Sequence, residues 1–526
     1  MTRSWTPWLW VLCLAAALPA LLLPVSNPDL FWHLSAARRM FELRAVPRED
    51  WLSWTMNGAA WVDFEWMTQL ILGAAYRAGG LAGVWFLKLA LLLFAAWRLD
   101  KWLKLYGLAD EWRAMGLALW SAAMLPGADA RPELFSLIFF IEWFRLLEQW
   151  RVNGRAPGAL LTAVLFALWA NLHAGFAYGL ALAAAYTAAG LPRHLILLAL
   201  AGTLVNPSGW RLYAVLAAHA QTGEAAAWIN EWKAPELSNP WRWAELALVP
   251  LSAVAAAFAF RRGRLAWAPA AALAALAALG LRHARLGVYF ASAGVPLALS
   301  WLAASGMRLR REAAAALCLL CLAWGAACAW PYGLARRVFN DRFVPSGAAA
   351  FLEAERGGLA GKRLYNPWGW GGYLGWRLGP GWPVFQDGRY LFHPLLLESA
   401  KASADAAGWT AFLERKGVEV ALLENIPLML PTTRRYPDGS GKEIARPYYT
   451  SYMPRERWAL VYFDPKTLVF ARRDAAPARW LQAHEFRWLK PYDDPAREDA
   501  LSRGEIPPKE LEAEQTRYAL MPFVRW

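Results

Sequence analysis

Long apolar runs separated by short polar loops dominate the first 331 residues of the 526-residue chain. Several runs contain the roughly 20 apolar residues that a helix needs to cross a bilayer. Beyond residue 331 the runs shorten, and charged and turn-forming residues return. The pattern therefore predicts a mainly α polytopic membrane bundle at 1–331, followed by an α/β domain at 332–526.

The apolar pattern predicts about eleven transmembrane spans. They lie at 8–25, 81–96, 113–127, 133–149, 157–172, 175–190, 194–206, 243–260, 265–281, 286–304 and 313–331. Lys and Arg cluster in the loops that this order places on one side, and positive charge favours the cytoplasmic side. We therefore expect a cytoplasmic N-terminus and an extracytoplasmic C-terminal domain.

A long first outer loop is predicted at 26–79, between the first two spans. It holds an amphipathic helix at 30–43 and an apolar stretch at 65–78. If this stretch crossed the membrane, the basic segment 98–113 would fall outside, against the bias of positive charge. We expect 65–78 to be a separate helix that lies in the outer interface.

The C-terminal domain shows strand and helix patterns in alternation. Helices are expected at 346–355 and 411–416, strands at 363–366, 382–386 and 418–423, a hairpin at 458–471, and surface helices in the last 45 residues. The hairpin is indicated by two β-patterned runs around a short Asp-Pro-Lys turn. This mixture favours an α/β class.

The net charge of +14 is explained by the basic inner loops, so the composition gives no reason to expect nucleic-acid binding. All four cysteines lie in apolar spans: Cys13, Cys318, Cys321 and Cys328. Their Cys-x-x-Cys spacing is therefore interpreted as packing rather than as redox chemistry or a zinc site.

The segment that directly follows the first span carries an acid and a histidine, Asp29 and His33. Their spacing of four residues places both on one side of a helix. A carboxylate at the lipid–water boundary can act as general base toward a hydroxyl, or bind a divalent cation. The alternative is that Asp29 only caps the helix at 30–43.

Further charged residues lie in the predicted outer loops. Asp63 and Glu65 form an acidic pair that lines one face or simply begins the helix at 65–78. Asp129 either caps the fourth span or contributes to a pocket. Arg131 lies where topology gives no reason for a cation, and a guanidinium there is suited to a phosphate.

Two short outer turns carry more candidates. Asn171 and His173 join the fifth and sixth spans, where His173 is either structural or a pocket residue. Arg282, His283 and Arg285 occupy one very short loop. This basic group predicts a site for a lipid-linked phosphate, or an anchor to anionic headgroups.

The start of the C-terminal domain is rich in aromatic residues and ends in a charged turn. Trp368, Trp370 and Tyr373 offer flat faces on which a sugar or peptide can stack. Asp387 and Arg389 either contact an acceptor or form an internal ion pair. Between them, Gly371 and Gly372 permit close backbone approach.

These residues resemble the membrane glycosyltransferases of the C superfamily, usually called GT-C enzymes. The resemblance rests on the multi-span bundle, the long first outer loop with a helix at 65–78, and an acid, Asp29, just after the first span. It implies sugar transfer from a polyprenyl-phosphate carrier at the outer face of a bacterial inner membrane. It also implies that Asp29 is the catalytic base or a metal ligand.

Residues 8–425 also resemble a group of bacterial membrane proteins. The shared motifs are Pro28–His33, Glu65-Trp66, Arg131-Pro132, Asn171–His173, Asn206-Pro207, and Trp370–Tyr373 followed by Asp387–Arg389. The segment 368–387 is similar to the Trp-Trp-Asp-Tyr-Gly region of oligosaccharyltransferase catalytic subunits, with glycines where that motif has Asp. By this resemblance Asp129 lies where those enzymes hold a metal, so Mg²⁺ or Mn²⁺ is an expected cofactor with Asp29 and Asp129 as ligands.

The sequence thus predicts an inverting glycosyltransferase with Asp29, His33 and Glu65 in catalysis. The predicted donor-phosphate set is Arg131, Arg282, His283 and Arg285, the pocket set is Asp63, Asp129, Asn171 and His173, and the acceptor set is Trp368, Trp370, Tyr373, Asp387 and Arg389. Partners would be a lipid-linked sugar, membrane lipids and an acceptor glycan, lipid or protein. The alternatives are a transporter or flippase of lipid-linked material and a non-catalytic envelope scaffold.

Overall fold

The computed structural model describes residues 6–220, 223–435 and 439–521. The chain forms two compact units. The first, the helical unit, contains the chain up to Asn27, Ala36–Pro47 and Val62–Asn340. The second, the α/β unit, contains Pro28–Ser35, Arg48–Trp61 and the chain from Asp341 onward. Two segments of the first outer loop therefore group with the C-terminal part of the chain.

The helices that begin before residue 340 are numbered α1 to α13. They are α1 Thr6–Leu21, α2 Leu30–Leu43, α3 Trp66–Leu105, α4 Asp110–Ala123, α5 Glu133–Asn153, α6 Ala159–Leu172, α7 Phe176–Ala188, α8 Arg193–Thr203, α9 Arg211–Ala220, α10 Trp243–Arg261, α11 Trp267–Arg282, α12 Gly287–Ala304 and α13 Arg311–Ala329. Each predicted span coincides with one of these helices, and the mainly helical class is confirmed.

Four helical stretches are long and apolar enough to cross a membrane: Trp66–Leu105, Pro240–Arg261, Ala284–Ala304 and Arg311–Tyr332. Shorter apolar helices accompany them. The stretch Ala284–Ala304 is 89% buried over its most apolar window, against 22% for Trp66–Leu105. An apolar helix that is buried all round belongs to the core of its bundle, so α12 is the central helix of this unit.

The predicted break between a helix at 65–78 and a span that begins at 81 is confirmed. Helix α3 is two helical stretches that meet at a kink, where Gly79 and Gly80 leave the helical conformation. Gly80 has φ 58° and ψ −145°, a conformation that only glycine adopts readily. The chain therefore changes direction through the two residues that separate the predicted helix from the predicted span.

The α/β unit contains a four-stranded sheet and a separate hairpin. Its strands are β1 Leu364–Tyr365, β2 Val420–Glu424, β3 Met429–Arg435, β4 Gly441–Pro447, β5 Trp458–Phe463 and β6 Thr467–Arg472. The sheet order is β1-β2-β6-β5, with β1 parallel to β2 and the other pairs antiparallel. Opposite partners include Val420 with Ala471 and Leu460 with Phe470. The predicted β5–β6 hairpin is confirmed.

The helices of this unit are α14 Ser346–Ala354, α15 Arg356–Leu359, α16 Gly371–Leu378, α17 His393–Ala402, α18 Ala406–Lys416, α19 Tyr449–Tyr452, α20 Ala478–His484, α21 Asp494–Ser502 and α22 Pro508–Leu520. Buried aromatic and aliphatic side chains from both helices and strands form its core. The expected surface helices near the C-terminus are α21 and α22.

The strand predicted at 382–386 does not form. Phe385 N–H donates to Asn366 Oδ1 at 2.9 Å, and Asn366 Nδ2 donates to Gln386 O at 2.9 Å. Because one amide side chain takes up these backbone groups, the segment has only a single bridge, from Ser53 to Val384. Conversely, the β3–β4 hairpin was not predicted, since its charged residues mask the β pattern.

All four cysteines are buried and unpaired, in agreement with their predicted packing role.

Candidate functional site

The segment around Asp29 is built into the α/β unit at the start of α2. His33 N–H donates to Asp29 O at 3.3 Å, so Asp29 lies at the first turn of the helix. Its side chain is half-buried, whereas Trp32 and His33 are buried. The Trp32 and His33 rings lie 3.6 Å apart between centroids. Asp29 therefore lies in the same helical turn as two buried side chains, Trp32 and His33, whose rings pack against each other.

Two glycines allow this segment to lie directly against the chain around 371–388. A Cβ on Gly388 would lie 2.1 Å from Asp29 Oδ1, and one on Gly372 would lie 3.1 Å from Trp32 N. Real Cβ atoms do not tolerate a 2.1 Å contact, so no larger residue fits at position 388 without a shift. The close approach predicted for Gly372 is confirmed.

The indole of Trp32 supplies an unsatisfied donor beside this carboxylate. Trp32 Nε1 is buried and has no hydrogen-bond partner among the residues that the structure describes. It lies 3.3 Å from the position that a Cβ on Gly388 would take, and Asp29 Oδ1 lies 2.1 Å from the same position. A buried donor without a partner costs about 1–3 kcal/mol. Such a group needs an explanation, and a ligand oxygen is one.

Asp387 and Arg389 form the internal ion pair that the sequence left open. Arg389 Nε donates to Asp387 Oδ1 at 2.9 Å, and Nη2 donates to Oδ2 at 2.7 Å. Arg389 Nη2 also binds Asp50, and all three side chains are buried. The guanidinium lies 4.9 Å from the centre of the Trp61 ring. This geometry favours the ion-pair alternative, and the assignment of Asp387 and Arg389 to acceptor binding stays a prediction.

Burial raises the pKa of Asp387, and the Arg389 guanidinium opposes this rise without cancelling it. Asp50 also accepts Ser53 Oγ–H at 2.6 Å. This acid–arginine–acid group connects the loop at 48–61 to the turn at 387–389.

The predicted aromatic acceptor residues divide into two sets. Tyr373 is buried, meets Phe31 edge-on at 4.7 Å, and accepts Arg377 Nη1–H at its hydroxyl at 2.9 Å. Packing accounts for the position of Tyr373, and its assignment to acceptor binding stays a prediction. Trp368 and Trp370 are half-buried, and Trp368 stacks on His393. These two indoles are more accessible to an acceptor than Tyr373 is.

In the helical unit, His173 is held by donors on one side and faces acids on the other. Its Nδ1 accepts the Gly175 backbone N–H at 3.1 Å and lies 2.8 Å from Ser136 Oγ. Trp169 Nε1–H donates to Ser136 Oγ at 2.7 Å. Because a backbone N–H can only donate, the neutral imidazole carries its proton on Nε2.

That Nε2 lies 3.7 Å from Glu65 Oε1 and 3.9 Å from Glu133 Oε1. Glu133 in turn pairs with Arg285. The chain from Ser136 through His173 to two carboxylates and a guanidinium links the ends of several helices. Glu65, His173 and Arg285, which the sequence singled out separately, are therefore brought together. We call these residues, with Glu133, the acid–histidine cluster.

A second guanidinium lies close to this cluster. Arg131 pairs with Glu231, and Arg131 Nη2 donates to Asn27 Oδ1 at 3.5 Å. Burial alone would raise the pKa of Glu231, but Arg131, aided by Arg285, holds that pKa below its ordinary value. Arg285 lies 5.2 Å from the Trp232 ring centre.

The other two members of the predicted phosphate set lie elsewhere. Arg282 is exposed at the end of α11. The His283 ring binds Trp232 O through Nδ1 at 2.7 Å, which holds the loop at 230–233. The structure gives His283 a structural task and leaves Arg282 outside the cluster.

The predicted pocket residues Asp63, Asn171 and Asp129 accept hydrogen bonds from both side-chain and backbone groups. Asp63 Oδ1 accepts Gln69 Nε2–H at 2.8 Å and Glu65 N–H at 3.2 Å, in keeping with a helix start. Asn171 accepts Trp66 Nε1–H at 2.8 Å. Both Asp129 oxygens accept Ser26 N–H, at 3.2 and 3.0 Å. Asp129 therefore fixes the backbone at Ser26, and its role as a metal ligand stays a prediction.

Among residues 6–220, 223–435 and 439–521, no three His, Cys, Asp or Glu side chains are grouped to hold a metal. In the acid–histidine cluster, His173 Nε2 carries a proton and therefore has no lone pair with which to bind a metal. The expected Mg²⁺ or Mn²⁺ stays a prediction from resemblance.

Sequence reasoning missed Glu133, Ser136, Glu231 and Asp50 as members of these groups. Glu133 is the first residue of the predicted span 133–149, where sequence reasoning assigned it no role of its own. Glu231 lies in the long loop between α9 and α10, where the sequence offered no pattern. The partners of each residue are distant in sequence, so no local spacing could reveal them.

The fold and these clusters define a polytopic membrane protein with an α/β unit. No protein-family model matches the chain, and no curated protein matches it. Its fold resembles that of ArnT from Cupriavidus metallidurans in the apo state, at 14% identity and TM-score 0.48 over 89% of this chain and 97% of that one. ArnT bound to undecaprenyl phosphate gives 13% identity and TM-score 0.46 over 90% and 98%.

Proposed function

We propose that the protein is a membrane glycosyltransferase that moves a sugar from a polyprenyl-phosphate-linked donor to an acceptor at the outer face of a bacterial inner membrane. The observation that carries the proposal is the pairing of Asp29 with the unsatisfied Trp32 N–H. A carboxylate and a buried donor side by side suit a hydroxyl, which offers a proton to one and an oxygen to the other. This is what an acceptor sugar presents.

In this proposal Asp29 is the general base. It takes the proton from the acceptor hydroxyl as that oxygen attacks the anomeric carbon. The bond from the anomeric carbon to the carrier phosphate breaks at the same time, and polyprenyl phosphate leaves with the bonding electrons. A positioned base of this kind contributes about 10²–10⁴-fold to the rate.

The leaving phosphate gains negative charge, which a guanidinium stabilises. Arg131 and Arg285 are assigned to it. Each pairs with a carboxylate, and the planar fork of a guanidinium matches the geometry of a phosphate. Glu133 and Glu231 hold the two side chains in place before the donor arrives.

His173 is assigned as a positioning residue for Glu65 and Glu133. Its Nδ1 is fixed by Gly175 and Ser136, so its Nε2–H is directed toward both acids. Like charges at close range repel, and a shared N–H donor reduces that repulsion. A His173→Asn variant is expected to change the pH profile of transfer more than the Km for the donor.

The proposal is tested with the purified protein in proteoliposomes, supplied with undecaprenyl-phosphate sugars that carry a radiolabel. The acceptor is an envelope extract of the source bacterium. Release of undecaprenyl phosphate together with labelled product is the expected result for at least one sugar. Transport of the intact donor without cleavage would contradict the proposal and favour the flippase alternative.

Trp32→Phe gives the sharpest variant, because it keeps the ring and removes only the N–H. Loss of a hydrogen bond of about 1–3 kcal/mol corresponds to a rate lower by about five- to a hundredfold. Trp61→Phe is the matched control, since Trp61 packs edge-on against Trp32 at 6.3 Å. Equal rates in the two variants would count against the role of the Trp32 donor.

A further inference from the structure

The α/β unit contains a cavity that the proposed function does not use. Its volume is about 620 Å³, within the range of roughly 300–1,000 Å³ that is typical of small-molecule sites. It lies between α19, strands β5 and β6, and the segment 485–490. All of its lining residues belong to the α/β unit.

The lining carries an excess of positive charge. Its five cations are Arg446, Arg455, Arg473, Arg487 and Lys490, and its two acids are Glu456 and Glu485. Arg473 and Arg487 share Glu485, and Arg446 pairs with Asp493. The Lys490 side chain forms no hydrogen bond or ion pair in the described part of the chain, although burial and the nearby Arg446 lower its pKa.

Aromatic side chains lie beside these cations. Tyr449, Trp458 and Trp488 line the cavity, and Trp488 is half-buried. The Trp488 indole N–H donates to Glu510 Oε2 at 2.9 Å, which fixes the plane of the ring. Flat aromatic faces next to cations suit a sugar ring that bears negative charge.

Hydrogen bonds to its backbone fix the segment that carries Arg487, Trp488 and Lys490. The buried Glu514 carboxylate accepts three successive backbone N–H groups, from Arg487 at 2.9 Å, Trp488 at 3.0 Å and Leu489 at 2.8 Å. On the other side, Tyr449 O–H donates to Pro491 O at 2.6 Å. The cavity wall is therefore preorganised rather than formed by loose surface side chains.

We propose that this cavity binds a saccharide that carries phosphate or carboxylate groups. The inference goes beyond the glycosyltransfer proposal and does not depend on it, because it concerns binding in the α/β unit alone. An acidic peptide would satisfy the cations but would make little use of the flat faces, so a saccharide is the better occupant.

The test is calorimetry on the full-length protein in detergent, with no donor present. The probes are trigalacturonate, glucose 1,6-bisphosphate, neutral maltotriose, inorganic phosphate and tetraglutamate. We expect at least one charged saccharide to bind about tenfold or more tightly than maltotriose, inorganic phosphate and tetraglutamate. The proposal is overturned if no charged saccharide binds, or if any of those three comparison probes binds as tightly.

Two variants locate the binding in the cavity. Lys490→Gln is expected to weaken the charged saccharide about tenfold, because it removes the cation that has no protein partner. Lys509→Gln removes one charge from α22, outside the cavity, and should leave binding unchanged. Equal loss in both would point to net charge alone and overturn the assignment.

Trp488→Leu separates stacking from charge. It should weaken the charged saccharide and leave the weak binding of inorganic phosphate as it is. Melting temperatures of all variants are measured alongside. Because no turnover is involved, failure here leaves the glycosyltransfer proposal standing, and failure of transfer leaves this one standing.

Discussion

Gly388→Ala tests whether Asp29 is seated where the structure has it. A Cβ at this position would lie 2.1 Å from Asp29 Oδ1 and 2.9 Å from its Cγ. The φ of Gly388 lies outside the left-handed region, so alanine is allowed by the backbone. Any effect of the substitution therefore comes from contact with Asp29 and its neighbours. The expected result is lower stability and displacement of the carboxylate.

The size of the effect follows from the geometry. Ordinary contacts begin near 3.4 Å, so the carboxylate must move by more than about 1 Å. Overpacking of this kind typically costs about 1–3 kcal/mol. In an Asp29→Ala background both close atoms are absent, and the nearest remaining contact is Trp32 Nε1 at 3.3 Å. Most of the cost of Gly388→Ala should then disappear.

A double-mutant cycle measures this difference. The four proteins are wild type, the two single variants and the double variant, compared by thermal unfolding in detergent. We expect a coupling of about 1–2 kcal/mol, within the range of contacting residues. The cycle also subtracts any helix-capping loss from Asp29→Ala.

Gly369→Ala is the matched control for the cycle. It lies in the same part of the chain, has no heavy atom within 4 Å of its added Cβ, and does not need a left-handed φ. It should be neutral in both backgrounds. Strict additivity of Gly388→Ala with Asp29→Ala, within about 0.5 kcal/mol, would refute the contact.

Three further outcomes are expected. Gly80→Ala should lower the melting temperature while the adjacent Gly79→Ala does not, because only Gly80 has a φ of 58°; equal shifts would contradict the kink. Arg389→Gln should destabilise the protein by about 3–5 kcal/mol, since Asp387 is left buried without its partner; recovery of well-folded protein in detergent checks this. The pKa of Glu231 is depressed in the folded protein, so its contribution to stability is full above its unfolded pKa and is lost as pH falls through the folded value. The stability difference between wild type and Glu231→Gln should thus be largest at neutral pH and shrink under acid, and a difference that grows under acid would refute the ion pair.

Local pattern was sufficient for much of the fold. Apolar runs predicted most helices of the helical unit, but α9 at Arg211–Ala220 was missed. Two β-patterned runs around a turn predicted the β5–β6 hairpin. The strand predicted at 382–386 failed to form because one side chain occupies the backbone groups that would pair with a neighbouring strand. Asn366, which binds the backbone of 385 and 386, is the reason that no strand forms there.

Local pattern was much less informative about the site. Asp50 and Arg389 are 339 positions apart, and Glu133 and Arg285 are 152 apart. No spacing rule connects residues at such distances, so the sequence offered Arg389 as an acceptor-binding residue. The close backbone approach at Gly372 could be anticipated because adjacent glycines are a local signal, whereas the contact of Gly388 with Asp29 could not.

The most direct test of the central claim is the rate of sugar transfer by Asp29→Asn in proteoliposomes. Asp474→Asn is the control, because Asp474 is an exposed acid in the same unit. If Asp29 is the base, its variant should bind donor normally and transfer sugar about 10²–10⁴-fold more slowly, whereas the control keeps the wild-type rate. Transfer at the wild-type rate by a folded Asp29→Asn protein would contradict the account.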